Sequence, residues 1–541
     1  MAGATDAGGS VVRGETTGTG AIAAVAVAIA AVLFAVGITA MFEIVSLTDP
    51  IGGVPTVAVL GGLLTALGLA VIAFGVGSRL EFVETNPRPS AGLVAAVAFT
   101  GIWFAVGGLV GAHLLGLGTV GWLAVALLVG GAGFAVAALP REDIGSTIPA
   151  GALSALVGLV FLTGLIGPGW VWELGWEDQA SFTAEFTIPL LTQFCALLTG
   201  WAAAKAYGGF GARGRHMGAY LLVYLNALAI VAILFVLVAF TVLKGLPGLV
   251  RGIAFGPGVG PETTLLGITF SWPVSWPFVM NGVALLNDVN GVLPAIVGTL
   301  WLVIGAVLFA VPLGVGAAIF LTEYAEGGRF TQVVEVATNG LWSTPSIVFG
   351  LFGFAFLVPR FGGQKSLISG MLTLGFMLLP LVLITSREAM LAVPDEYRDA
   401  SAALGVTKWQ TIRSVVLPAA LPGVATGVIL GVGRIAGETA PILLTMSGGT
   451  FVPGRQTADV IGGFRFTASP PFVSNPELLQ QTTALPYQLF ALISAGVDVN
   501  ENVSNGDEFQ WATALVLLLV VLSFYAVGIL TRYYFRRQLS A

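Results

Sequence analysis

Apolar and polar positions divide the chain into long hydrophobic runs separated by short polar segments. A transmembrane helix needs about 20 consecutive apolar residues, and most of these runs reach that length. They lack the short alternating segments of a β-barrel, so the pattern predicts an all-α, polytopic helical bundle in a membrane. We place twelve spans at residues 21–42, 55–78, 91–113, 118–139, 148–167, 187–206, 218–242, 293–322, 338–358, 367–386, 416–445 and 511–531.

Composition supports a membrane protein. The 541 residues are 56% hydrophobic and 9% charged, with a mean hydropathy of +0.94. A soluble protein carries about 25% charged residues, so this chain has too little polar surface to be soluble. A net charge of −6 without a basic stripe excludes nucleic acid as a partner. The single cysteine, Cys195, cannot form an internal disulfide and is expected to be a packed residue.

The positions of lysine and arginine predict the orientation, because cytoplasmic loops carry an excess of both. With the N-terminus inside, fifteen of the 22 basic residues fall in cytoplasmic segments and six fall in outer ones, while Arg434 remains within a span. We therefore expect a multi-pass protein of the cell membrane with both termini in the cytoplasm. Residues 1–20 are small and polar, and we expect them to be disordered.

The segment after Ser386 reads SREAMLAVPDEYRDASAALGVTKWQTIRSVVLPAALPGV, and it is amphipathic and too long for a simple hairpin. Its pattern predicts two helices that meet at a glycine-centred bend on the cytoplasmic face. The spacing resembles the cytoplasmic loop of binding-protein-dependent ABC importer permeases, whose pattern is EAA, three residues, G, nine residues, I, one residue, LP. The matching positions are Asp399, Ala400, Ser401, Gly405, Val415, Leu417 and Pro418.

That resemblance implies that residues 387–415 form a coupling loop seated in a cleft of a separate ATPase subunit. The departures from the pattern are modest in size and polarity: Asp399 replaces Glu, Ser401 replaces Ala and Val415 replaces Ile. The structural alternative is an amphipathic loop with no ATPase partner.

A second constellation, GRIAGETAPILLT at residues 433–445, places Arg434 and Glu438 four positions apart, on one face of a helix. An arginine at the centre of a span costs about 2.5–3.5 kcal/mol, so it should face the bundle interior or a watery path and have a partner. We expect Glu438 to pair with Arg434. The pair either fixes packing or lets the guanidinium bind a tetrahedral oxyanion in transit.

The GETAP segment resembles the phosphate-specific permeases within that family. Residues 294–325, TPSIVFGLFG at 344–353 and TALPYQLF at 483–490 resemble them too, and the last points to the A-type subunit. The resemblance implies a second permease, two copies of a nucleotide-binding ATPase and an extracellular phosphate-binding protein as partners. We expect Pro312 and Pro345 to kink their spans. The predicted substrate path comprises Arg434, Glu438, Thr439, Ser343, Thr344 and Ser346.

The permease resemblance covers residues 216–541, in six spans, whereas residues 21–206 resemble no part of that family. The N-terminal six spans bury no charge by our assignment, so we expect a packing or stabilising extension of unknown function. The chain shows no repeat between its halves.

No catalytic constellation or phosphate-cradling GxxxxGK[ST] loop occurs, and the two histidines form no metal cluster. We expect a transport subunit that is not an enzyme and binds no cofactor, with ATP and Mg on the partner ATPase. Alternatives are a permease for sulfate or molybdate, an ion-driven secondary transporter, and a membrane sensor or scaffold. A secondary transporter usually has paired halves with internal symmetry, which this chain lacks.

Overall fold

The computed structural model of the chain describes residues 18–42, 44–47, 50–51, 53–173, 181–265, 268–283, 290–325, 328–447, 457–470, 472–496 and 505–539. Contacts within the chain divide it into two compact units, Met1–Val238 and Ala239–Ala541. From the sequence, the division between the membrane extension and the permease region was predicted between residues 206 and 216, and a new helix begins there, at Gly211. The expected disorder of residues 1–20 falls mainly outside the described residues, and the first helix begins at Gly18.

The described residues of unit 1 form a bundle of long helices with two short antiparallel strand pairs. Its helices are α1 (Gly18–Met41), α2 (Thr56–Arg79), α3 (Leu93–Leu109), α4 (Thr119–Ala138), α5 (Glu142–Leu162), α6 (Ala184–Tyr207) and the first part of α7 (Gly211–Val250). Strand β1 (Pro50–Ile51) pairs with β2 (Val54–Pro55), and β3 (Val171–Glu173) pairs with β4 (Ser181–Thr183).

Helices α2 and α5 pack through glycines, which allow two backbones to approach closely in a membrane. A Cβ atom on Gly61 would lie 2.7 Å from the Gly158 carbonyl oxygen, and one on Gly68 would collide with the carbonyl of Gly151. Ser154 adds a hydrogen bond between the helices. The abundance of glycine in the sequence thus reflects direct contact between helices.

Unit 1 also encloses an ionic cluster. Lys205 Nζ lies 2.8 Å from one carboxylate oxygen of Glu142 and donates a hydrogen bond to Ser146 Oγ at 2.7 Å. The second carboxylate oxygen of Glu142 accepts from the backbone N–H groups of Arg88 and Gly211. The side chains of Lys205 and Glu142 are 2% and 0% exposed. Glu142 therefore ties the loop after α2 and the turn before α7 to the start of α5.

The expectation that this half buries no charge is wrong. The predicted fifth span began at residue 148, whereas α5 begins at Glu142 and includes Asp143, which is buried and lies 3.3 Å from Arg141. A span chosen for its lack of charge leaves out Glu142 and Asp143, which a helix end buries against its neighbours. Lys205 lay within the predicted span 187–206 but was assigned to the cytoplasmic side.

We expect Glu142→Gln to destabilise the purified chain, because it leaves the Lys205 ammonium buried without its charge partner. Breaking a buried pair from one side costs about 3–5 kcal/mol. The measurement is the thermal unfolding midpoint in detergent, with the exposed Glu84→Gln as control. The double variant Glu142→Met/Lys205→Met should lose less stability than the sum of its single changes. A Glu142→Gln midpoint equal to that of the control would contradict the role of the cluster.

In the part of unit 2 that the structure describes lie the remaining helices and three short antiparallel strand pairs. After the last part of α7, its helices are α8 (Pro277–Met280), α9 (Leu293–Ile319), α10 (Arg329–Ser343), α11 (Ser346–Phe352), α12 (Leu367–Leu391), α13 (Asp395–Ala403), α14 (Lys408–Thr411), α15 (Leu417–Ala436), α16 (Ala440–Thr445), α17 (Leu485–Ser494) and α18 (Gly506–Leu539). The strand pairs are β5 (Ala254–Phe255) with β8 (Val274–Ser275), β6 (Glu262–Leu265) with β7 (Ile268–Ser271), and β9 (Arg465–Phe466) with β10 (Val473–Ser474).

Helix α12 has the largest buried share among the described candidate spans of unit 2, and it packs between α9 and α15. Gly423, Gly427 and Gly431 recur every four residues on the face of α15 that meets α12. A Cβ on Gly423 would lie 2.6 Å from the Cβ of Ala389, and one on Gly427 would collide with Thr385. This row of glycines holds α15 close against α12 up to the turn that carries Arg434.

Two spans of unit 2 are broken. Helix α10 and the helical segment Ser346–Phe361, which contains α11, meet at an angle of 102°, with Pro345 at the break. The predicted kink at Pro345 is confirmed, whereas Pro312 lies within the continuous helix α9. Over the described residues, eleven single helices are long and apolar enough to cross a membrane, and counting the bent pair as one span makes twelve. The predicted all-α bundle of about twelve spans is confirmed.

The second break corrects the predicted span 416–445. Helix α15 ends at Ala436 and α16 begins at Ala440, so these residues are two helices. Pro441 explains the break, because it lacks the N–H that would bond to the Gly437 carbonyl in a continuous helix, and proline is favoured in the first turn of a new one.

Candidate translocation site and coupling surface

The two breaks of unit 2 meet at an arginine and a tryptophan. Arg434 lies in the last turn of α15, and its guanidinium carbon is 4.2 Å from the ring centroid of Trp342, near the end of α10. A guanidinium over an indole face is attracted by the ring quadrupole and stacks on its plane. We call this junction of α10 and α15 the Arg434 crease.

The predicted pairing of Arg434 with Glu438 is wrong. The helix ends between them, because Gly437 is the residue that follows α15, so the two side chains do not share a helical face. Within the described part of the chain, Arg434 takes part in none of the ion pairs. Both residues are partly buried. The guanidinium is therefore held by an aromatic ring and keeps its hydrogen-bond donors for other groups.

The predicted hydroxyl residues lie at or beside the same breaks. Ser343 and Thr344 follow Trp342 directly, and both hydroxyls donate to the Gly340 carbonyl at 2.9 Å. Ser346 begins α11, and Thr439 lies between α15 and α16. Ser343 and Thr344 thus have local partners, as serine and threonine in helices often do. All four therefore lie next to one of the two breaks in the chain.

The crease is suited to an oxyanion. A guanidinium carries five N–H donors in a rigid plane, and stacking on a ring face leaves its edge available. Bidentate hydrogen bonds from arginine to a carboxylate or phosphate are stronger than those between neutral groups. Sequence reasoning did not include Trp342 in the predicted substrate path, although Trp342 directly precedes the predicted path residues Ser343 and Thr344.

The other end of α16 is held by a lysine that sequence reasoning also missed. Lys365 lies in the loop before α12 and donates to the carbonyl oxygens of Leu443 and Ser447, at 2.7 and 3.0 Å. Partial burial lowers the pKa of Lys365 below its usual value, because it penalises the charged form.

The coupling motif forms two helices joined at Gly405, as predicted. Helix α13 ends at Ala403, and Gly405 has φ +72° and donates its N–H to the Ala402 carbonyl. A left-handed glycine directly after a helix is a common way to end it. Helix α14 then leads through a π-helical turn, Ile412–Val416, into α15.

The motif residues divide between an exposed surface and a packed base. Asp399, Ala400 and Gly405 are exposed and Ser401 is buried, while Val415, Leu417 and Pro418 are partly buried where α15 begins. Around the bend, Tyr397, Leu404 and Trp409 are each more than half exposed. Clustered exposed apolar side chains indicate an interaction surface.

Arg398 anchors this surface to the transmembrane helices, a role the motif did not reveal. Its guanidinium donates to Glu323 Oε1, at 3.0 Å for the shorter contact, and to the carbonyls of Met390 and Val393. Glu323 follows α9, and the two carbonyls lie at the end of α12. The coupling helices are therefore fixed to two spans at once.

Within the described residues, no group of three or more His, Cys, Asp or Glu side chains could hold a metal ion.

A protein-family model described as "Binding-protein-dependent transport system inner membrane component" matches residues 310–537. This match includes α10 to α16, the coupling helices and the Arg434 crease.

The "Phosphate transport system permease protein PstA" of Haemophilus influenzae is 31% identical over 255 residues, which cover 47% of this chain and 78% of that protein. This chain belongs to the binding-protein-dependent transport permeases. PstA 1 of Mycobacterium tuberculosis is 40% identical over 169 residues, or 31% of this chain. The permease described here spans 55% of the length of that relative.

A solved structure of the MetNI methionine ABC transporter, facing inward, has a chain that aligns with 45% of this permease and 95% of its own length. The sequence identity is 17% and the TM-score 0.33.

We expect Arg398→Met to loosen the coupling helices. It removes hydrogen bonds of a charged donor, each of which is worth about 1.5–3 kcal/mol. Hydrogen–deuterium exchange of the backbone amides in α13 should become faster in the purified chain. The exposed Arg413→Met is the matched control in the same segment. Unchanged exchange in the Arg398 variant would show that the anchor does not hold α13.

Proposed function

We propose that this chain is the transmembrane permease subunit of an ATP-driven phosphate importer. The observation that carries the proposal is the Arg434 guanidinium, which is stacked on Trp342 at the junction of two broken helices and has no carboxylate partner among the described residues. The Haemophilus and Mycobacterium relatives are both named phosphate transport permeases, and this similarity supports phosphate as the substrate.

The exposure of the crease supports a path between two subunits. Arg434 is only partly buried, and the neighbouring arms of the bent pair expose apolar side chains, including Leu341, Ile347 and Val348. Lipid cannot solvate a guanidinium without a cost of about 2.5–3.5 kcal/mol or more. A second permease that covers this face would enclose Arg434 in a polar path, where a phosphate anion can replace water on its free donors.

The coupling surface supports ATP hydrolysis on another chain. In the proposed complex, two copies of an ATPase bind ATP and Mg, and one of them receives α13, Gly405 and α14. Movement of α13 would reach the ends of α9 and α12 through Arg398. An extracellular phosphate-binding protein delivers the substrate, and both termini lie in the cytoplasm, as the distribution of basic residues predicts.

Arg434→Gln should abolish phosphate uptake while the complex still assembles, because the amide keeps some hydrogen bonding but loses the charge that attracts the anion. The measurement is the initial rate of labelled phosphate uptake by cells that express the chain with its partners. Arg360→Gln is the matched control, since Arg360 also stacks on a ring, that of Phe356.

Near-normal uptake by Arg434→Gln would return Arg434 to a purely structural role. Sulfate and molybdate should compete poorly with phosphate in the same assay. Uptake of labelled sulfate or molybdate faster than that of phosphate would count against phosphate as the substrate.

Gly405→Val should weaken capture of the ATPase. No atom lies within 4 Å of the position that a Cβ would occupy, so the strain comes from the backbone, at φ +72°. A left-handed conformation costs most residues roughly 1–2 kcal/mol, whereas asparagine tolerates it better. Gly405→Asn is therefore the matched control in a pull-down of the ATPase. Equal capture by both variants would count against a docking role for the bend.

A further inference from the structure

The short helix α16 is joined to the rest of unit 2 in a different way at each end. At its start, Glu438 and Thr439 connect it to the turn that carries Arg434. With six residues it is about 9 Å long, at about 1.5 Å per residue. Because α16 is so short, a displacement of its far end would also shift the turn that carries Arg434.

The far end of α16 is closed by the loop that precedes α12. Lys365 Nζ donates to the carbonyl oxygens of Leu443 and Ser447, and the Ser366 N–H donates to the carbonyl of Thr445 at 2.9 Å. The carbonyls of Leu443 and Thr445 belong to the group that a helix leaves without intrahelical partners at its C-terminus, and Ser447 lies just beyond the end of α16. A cation at this end is also favoured by the helix dipole.

The loop is shaped to bring Lys365 to this position. Gly362 and Gly363 have φ values of +95° and +75°, a region that side chains disfavour. Two successive left-handed residues turn the chain from the second arm of the bent pair towards α16. Lys365 thus links the bent pair, the start of α12 and the end of α16.

We propose that Lys365 is a positioning residue for transport, which clamps the end of α16 and thereby fixes the Arg434 crease. This inference rests on the proposed function, because the step that it affects is the passage of the anion. The lysine reaches the end of α16 remote from the crease, and it acts through α16.

The variants Lys365→Met and Lys365→Arg test the clamp, with the exposed Lys244→Met as the matched control in unit 2. In cells that express the full complex, Lys365→Met should lower the maximal rate of phosphate uptake at least about tenfold, because a misplacement of about 1 Å can cost on the order of 100-fold. The apparent KM should change little, since the binding protein sets capture. Lys365→Arg should recover part of the rate, because it can still donate to both carbonyls.

A second readout separates positioning from folding. Complex yield and the thermal midpoint of Lys365→Met should stay near those of the wild type, while deuterium exchange of the amides in residues 440–447 becomes faster. Wild-type uptake or unchanged exchange in Lys365→Met would overturn the proposal, and so would an equal loss of complex yield in both Lys365 variants. If the wild-type complex moved no phosphate, the proposed function would fall, and the exchange measurement would still decide whether Lys365 clamps α16.

Discussion

The hydrocarbon core of a membrane offers no hydrogen bonds to a peptide backbone, and this constraint governs the architecture of the chain. Each N–H and C=O at that depth has to find a partner within the protein, so the spans are helices. A helix can be broken there only where other groups satisfy the freed backbone. The breaks meet this condition through local contacts. At Pro345 the hydroxyls of Ser343 and Thr344 donate to the Gly340 carbonyl, and at 437–439 the N–H groups of Gly437 and Glu438 donate to the carbonyls of Arg434 and Ile435.

The same constraint applies to charged side chains, and Glu142 in unit 1 and Arg434 in unit 2 meet it with different kinds of partner. In unit 1 the buried carboxylate of Glu142 lies beside an ammonium and accepts from two backbone N–H groups, so its position is fixed by groups of the same unit. In unit 2 Arg434 meets an aromatic face, which attracts the cation without occupying its donors. The first arrangement attaches loops to a helical bundle, whereas the second leaves the hydrogen-bond donors of a cation unoccupied by the described residues.

Apolar runs were sufficient to predict the number of spans, because length and hydropathy are local properties. The bend at Gly405 was also predictable, since a left-handed residue after a helix has a strong preference for glycine. Helix ends were harder to predict from the sequence. The start of α5 at Glu142 depends on partners from distant loops, and the break before Ala440 divides a stretch whose apolar pattern continues across it.

The contacts of the candidate site were the least predictable part. Spacing of four suggested that Arg434 pairs with Glu438, but this rule holds only within an unbroken helix. The partner found instead, Trp342, comes from another span, and so do the carbonyls that Lys365 binds. Such pairings follow from the packing of distant segments, which periodicity along one segment does not encode.

The sharp bend between α10 and α11 raises the question of whether the chain passes through the bilayer there or turns back. Arg387, near the end of α12, lies 3.5 Å from Glu335 in α10, so the end of α12 and the first half of α10 share one face of unit 2. Because α12 is itself a single crossing, the residues between Glu335 and the start of α12 have to reach the opposite face. In the proposed topology the bent pair is therefore one crossing despite its angle of 102°, and the number of crossings stays even.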